Sequence, residues 1–185
     1  MNRKPLLNSC FITILIPALF VGCSKAPSEG EMKRAELSSQ LESIRQAYGE
    51  LGRIRTEAAA AQTTLAGLEA VPEGSRSDAQ KAELETLSAR VAELEAQREQ
   101  YFDTVQNGLA EFLNLALNEF PDAPETLEGL RIYSDEAVLV SWDMVEKAGD
   151  YKKAADHLTA AKSYYEMAGI TAVHQPLLGT LAKLE

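Results

Sequence analysis

The chain is poor in the residues that build covalent frameworks, β cores and nucleic-acid surfaces. Its two cysteines, Cys10 and Cys23, both lie near the N-terminus, so no disulfide scaffold is available to the rest of the sequence. Aromatic residues make up 6%, a scarcity that argues against a sandwich or barrel and for alanine-rich helices. Basic residues are few: 18 Lys and Arg stand against 28 Asp and Glu, a net charge of -10. That balance argues against nucleic acid, whose phosphates need a basic face. Long apolar runs are missing apart from Phe11–Val21, which is too short to span a bilayer comfortably. Only two histidines occur, His157 and His174, and the sequence has no HExxH or CxxC spacing from which three or four metal ligands would converge. There is also no glycine-rich phosphate loop and no nucleophile elbow. The expectation is a non-enzymatic chain with no cofactor and no metal. With 185 residues there is room for one compact domain, or for one elongated element plus a small bundle.

What is present begins at the N-terminus. Met1–Leu7 carries Arg3 and Lys4, and the apolar run FITILIPALFV follows. Charge ahead of a short apolar run is the pattern of a secretory signal. The segment Leu19-Phe20-Val21-Gly22-Cys23 resembles the lipobox of bacterial lipoproteins, with a small residue directly before the cysteine. The resemblance implies a signal peptide over 1–22 and acylation of Cys23, by palmitate-type chains, followed by a short linker over 23–30. It also implies a lipid-anchored partnership with the membrane of the cell envelope. Ser24 stands where aspartate would retain such proteins at the inner membrane, so the family's sorting rule implies the outer membrane, facing the periplasm. An uncleaved membrane anchor, or an ordinary signal with a chance cysteine, is the alternative. Without Arg3 and Lys4 the basic count falls from 18 to 16, and the balance against 28 acids becomes -12.

A helical pattern follows. Ser28 and Glu31 form a capping box, and Leu37, Leu41, Ile44, Tyr48 and Leu51 recur at heptad spacing, with Ala58 and Leu65 in the same phase. Arg55 and Gln62 fall on this seam where apolar residues are expected. The break Val71–Ser77 contains Pro72 and Gly74, and Ser77 with Gln80 makes a second capping box. Leu84, Leu87, Val91, Leu94, Tyr101, Val105, Phe112 and Leu115 resume the seam, with Arg98 and Gly108 as weak steps. This pattern predicts an antiparallel coiled-coil hairpin over 31–119 with its turn at 71–77. Counting outward from the turn places Leu51 near Leu94 and Tyr48 near Tyr101. Ala58–Ala61 is expected to allow close approach of the two helices. A self-associating coiled coil, hence a homo-oligomer, is the rival reading.

Residues 120–185 read as a small helical bundle. Asp122 and Glu125 are capping candidates beside Pro121 and Pro124. The stretch GDYKKAADHLTAAKSYY resembles the interhelical turn and second helix of the tetratricopeptide repeat, with Ala154, Leu158 and Ala161 at its signature positions. Trp142 departs from the pattern, standing where that family has glycine or alanine. One repeat cannot bury its own apolar face, so these helices are expected to pack on the hairpin base near Phe102, Leu109, Phe112 and Leu113. A last helix carrying Leu177, Leu178, Leu181 and Leu184 caps the bundle. Paired carboxylates such as Glu95/Glu99 and Asp135/Glu136 read as solvated helix faces.

The expected fold class is therefore all-α, a long antiparallel coiled-coil hairpin followed by a tetratricopeptide-like bundle. The expected function is that of a membrane-anchored envelope scaffold or adaptor binding a partner protein. Trp142, Tyr151, Leu158, Tyr164 and Tyr165 are the expected partner-binding residues. The lipidation reading predicts that Cys23→Ala abolishes lipid labelling and releases the protein from membranes. Unchanged membrane fractionation of that variant would refute it.

Overall fold

The structure, a computed structural model, describes residues 27–184, so Cys23 and the signal segment lie outside the described residues. The chain is all-α: α1 spans Glu29–Glu69, α2 Asp78–Glu119, α3 Pro124–Ala148, α4 Tyr151–Met167 and α5 Gln175–Leu184. Among the described residues there is no strand, and no helix is long and apolar enough to cross a membrane. The two long helices pair as a hairpin, and α3, α4 and α5 form a small bundle against it.

Local chemistry sets the helix ends. Ser28 accepts a hydrogen bond from the Glu31 amide at 3.3 Å, while the Glu31 carboxylate accepts from the Ser28 amide at 2.7 Å. Ser77 and Gln80 repeat this arrangement at the start of α2, at 3.2 and 2.9 Å. Each box satisfies two amides that the first helical turn leaves without a partner. Between the helices lies a single 3-10 turn, Glu73–Ser75. Arg76 reaches back to donate to the carbonyls of Val71 at 2.9 Å and Glu69 at 2.8 Å, which closes the end of α1. A cation on those carbonyls also suits the negative end of the helix dipole.

Asp122 does not cap α3. The N-cap is Ala123 with no side-chain hydrogen bond, because Pro124 opens the helix, has no amide to satisfy and already holds helical φ. Thr126 instead donates to the Phe120 carbonyl at 2.6 Å and ties the new helix to the end of α2. Glu125 turns outward to α1, accepting from Ser38 at 3.4 Å and facing Arg34 at 3.6 Å. At the other end of α3, Gly149 takes a left-handed conformation with φ 65°, where a side chain would be strained. Asp150 then caps α4 through the Lys153 amide at 3.0 Å.

The hairpin seam buries Leu37, Leu41, Ile44, Ala47, Leu51, Ile54 and Ala58 from α1. Ile54 and Ala47 belong to it although the heptad count passed over them, because the buried face follows the helical period of 3.6 and widens where α3 also covers it. The pairing differs from the expected register. Leu94 packs in a cluster with Ile54 and Ala58, whereas Leu51 shares its cluster with Val105 and Leu109. Counting from the turn placed Leu94 about two helical turns too far along α1. Of the alanine run, Ala58 and Ala61 join the seam while Ala59 and Ala60 remain exposed.

α3 begins at the open end of the hairpin and climbs it alongside α1. Glu125 lies at Arg34, Glu128 at Arg45 and Glu136 at Arg55. The bundle therefore flanks the lower part of the hairpin instead of sitting only at its base. The tightest contact is at Gly129, where an added Cβ would lie 2.1 Å from Cε1 of Phe112. Phe112 is fully buried among Leu109, Leu113, Leu130 and Tyr165, as the expected contact near Phe112 and Leu113 requires. α4 covers α3 through Ala154, Leu158 and Ala161, all without solvent exposure. Leu177 of α5 closes the end of this layer with help from Leu178, Leu181 and Leu184.

Because the Phe112 ring has no free space, Gly129→Ala forces a shift of packed core atoms. The expected cost is about 2 to 3 kcal/mol. Urea denaturation should show a lower midpoint with an unchanged m-value.

Candidate partner-docking groove

One face of each of three helices converges on a groove of about 520 Å³ on the side of the hairpin. From α1 it takes Arg55, Ala58, Ala59 and Gln62; from α2, Glu95, Arg98, Glu99 and Phe102; from α3, Leu139, Trp142, Asp143 and Glu146. Val140 of α3 also lines it, and the other members of each set repeat the spacing i, i+3, i+4, i+7, which places them on one helical face. The floor is apolar, made by Ala58, Phe102 and Trp142, and Leu139 at its edge is 43% exposed.

The lower end of the groove is closed by a buried ion pair. Arg55 grips Glu136 of α3 with two parallel bonds, Nη1 to Oε1 at 2.6 Å and Nη2 to Oε2 at 2.8 Å. Glu136 has no exposure, so the reading of Asp135/Glu136 as a solvated face fails at Glu136. The cause is tertiary: the polar step Arg55 in the α1 seam is the partner that makes burial of a carboxylate tolerable. Burial works against the charge on Arg55, yet the hydrogen bonds and charge of Glu136 outweigh it and raise its pKa. Asp135 faces the other way and meets His174 Nε2 at 2.7 Å, joining α3 to the segment before α5. Tyr48 lies close by, its hydroxyl pKa raised first by burial and then by the charges of Asp135 and Glu136.

The other weak seam steps also find partners. Gln62 donates to Glu95 across the hairpin at 2.9 Å, and Arg98 pairs with Glu95 along α2 at 2.8 Å. Gly108 seats Ile44, whose Cγ1 would lie 3.1 Å from an added Cβ. Lower down, Arg45 donates from Nε to Glu128 at 2.7 Å and holds that carboxyl below the usual range. Among the groove-lining charges, Asp143 pairs with Lys147 at 3.0 Å. Glu99 and Glu146 are exposed, and among the described residues no cation pairs with either.

The five residues expected to bind a partner do not converge. Trp142 lines the groove just described. Tyr164 lies in a second, uncharged groove of about 340 Å³ on another side, edge-on to Tyr133 with ring centres 5.1 Å apart. Tyr151 is 55% exposed at the start of α4, in neither groove. Leu158 and Tyr165 are core residues at 0% and 1% exposure, and Ser134 donates to the Tyr165 hydroxyl at 3.1 Å. Their spacing is that of the α4 face turned toward α3, which leaves them no free surface. Leu139, Phe102, Glu99 and Glu146 complete the Trp142 groove. Their signal in the sequence was the shared one-face spacing on separate helices, but nothing local says that those faces meet. Among the described residues no group of three or more His, Cys, Asp or Glu side chains is arranged to hold a metal.

Compared with known protein families, with curated proteins and with solved structures, the chain matches none.

The Arg55–Glu136 pair gives an asymmetric prediction. Arg55→Ala strands a buried carboxylate and should lower stability by about 3 kcal/mol. Arg55→Leu combined with Glu136→Leu should recover most of that loss, as read by thermal and urea unfolding. A double variant no better than the single one would mean that the loss comes from the missing pair itself and not from a stranded carboxylate.

Proposed function

We propose that this protein is a lipid-anchored envelope lipoprotein that acts as a non-enzymatic adaptor, tethered through Cys23 and docking a partner protein in the groove beside Trp142. The observation that carries the docking half is the groove itself: three helix faces with an apolar floor, a half-exposed Leu139 and a mouth ringed by charge. An aromatic floor with a polar rim is the arrangement from which protein interfaces draw most of their binding energy. The anchoring half rests on the lipobox-like Gly22-Cys23 and the apolar run before it. Tethering at Cys23 sets α1 close to the membrane, since residues 24–28 span at most about 18 Å.

Self-assembly is a second reading with its own support. Leu65, Leu68, Leu84, Leu87 and Val91, toward the turn, are only half-buried and belong to none of the buried clusters. A second hairpin laid on this two-helix segment would cover them, as coiled coils do when a seam is left incomplete.

A photo-crosslinking residue placed at Leu139 in cells should yield a specific adduct with another protein, and one at the exposed Thr159 on α4 should not. Equal capture from both positions refutes docking at the groove, and adducts of the chain with itself from a residue placed at Leu87, with none to another protein from Leu139, favour assembly.

A further inference from the structure

The charge around the groove points to the chemistry of what enters it, given the docking role proposed above. Four carboxylates and two guanidiniums line it. Both guanidiniums are spent: Arg55 is held by Glu136 and Arg98 by Glu95. Asp143 is offset by Lys147. What remains facing solvent is a pair of carboxylates from opposite walls, Glu99 on α2 and Glu146 on α3, on either side of the apolar floor. The chain as a whole carries the same sign, with a net charge of -10. An apolar trough between two acidic walls complements a helix whose apolar stripe is flanked by Lys or Arg. It repels an acidic helix, and it offers an extended peptide no free strand edge, since the walls are all helical.

We infer that the groove takes a basic amphipathic helix of a partner protein, its apolar anchor seated on Trp142 and Phe102 and its cations set against Glu99 and Glu146. The acidic rim speeds and selects encounter, and the aromatic floor holds the complex.

The chain carries its own reporter, because Trp142 is its single tryptophan and lines the groove. The full chain, reconstituted in phosphatidylcholine vesicles, is titrated with a tryptophan-free leucine/lysine amphipathic helix of about five turns. A saturable blue shift of Trp142 emission is expected, with no shift for the leucine/glutamate counterpart. Glu99→Gln with Glu146→Gln should weaken binding about fivefold, since two exposed charges are removed. Glu99→Lys with Glu146→Lys should reverse the preference between the two peptides. Both positions are exposed and unpaired, so these variants keep the fold, which circular dichroism verifies. Equal response to both peptides, or binding unaffected by the charge reversal, overturns the inference. If Leu139 still captures a partner in cells while neither peptide moves the emission, the basic-helix assignment fails alone and the adaptor reading stands.

Discussion

The Arg55–Glu136 pair fixes where α3 lies, and the rest of the molecule is arranged around that choice. A carboxylate with no exposure needs hydrogen-bonding partners, and here both of its oxygens meet the Arg55 guanidinium. Sliding α3 by one turn along α1 would leave the charge buried without its partner, at a cost of several kcal/mol. The register so fixed brings Gly129 onto the ring of Phe112, two helical turns earlier on α3. It also sets Asp135 where His174 reaches it, which ties down the segment leading into α5. An apolar contact alone would specify such a register weakly, because leucines slide past one another at little cost. A buried charge does not slide.

The same logic divides the hairpin into two parts. Its lower part has a third helix along it and carries nearly all of the fully buried seam, from Leu37 to Ala58 and from Leu94 to Ala116. Toward the turn, α1 and α2 have only each other, and Leu65, Leu84 and Leu87 stay half-buried. There the pair is held by its ends. The Ser77/Gln80 capping box, the Arg76 clasp on the Glu69 and Val71 carbonyls, and the Arg90–Glu57 bridge do what a thick core does lower down. Such local, solvent-exposed contacts are individually weak. The turn end is therefore the least stable region of the hairpin, and opening there need not disturb α3.

Much of this was legible because it is local. Ser28/Glu31, Ser77/Gln80 and the Pro72-Gly74 break act within four residues of themselves, and all three stand where the sequence puts them. The all-α class and the long helix pair follow from the same short-range signals. What escaped depends on elements distant in sequence. Arg55 looked like a flaw in a heptad because its partner lies 81 residues away. Glu136 looked like a surface charge for the mirror-image reason. Leu158 and Tyr165 have the composition of an aromatic binding surface, but α3 already covers that face. Asp122 lost its capping role to a proline two positions on. The groove was half visible: Trp142 was singled out, but its walls sit on three helices whose alignment no periodicity encodes.

Side-chain size along one helix explains why the groove exists. Where α3 presents Gly129, it approaches α2 so closely that even a methyl group has no room. Further along, the same helix presents Leu139 and Trp142 toward Ala58, Ala59 and Phe102. An indole and an isobutyl group take up space that glycine leaves free, so the close approach at Gly129 is not repeated there. The Arg55–Glu136 pair lies between these two regions of α3. The resulting space of about 520 Å³ is lined rather than filled. Interiors close up such space when the residues around it are free to repack. Here repacking is blocked at one end by the buried charge pair and along the sides by the carboxylates of Glu99 and Glu146, which remain exposed. An open trough is thus the stable outcome for the isolated chain, with volume that the chain's own side chains do not fill.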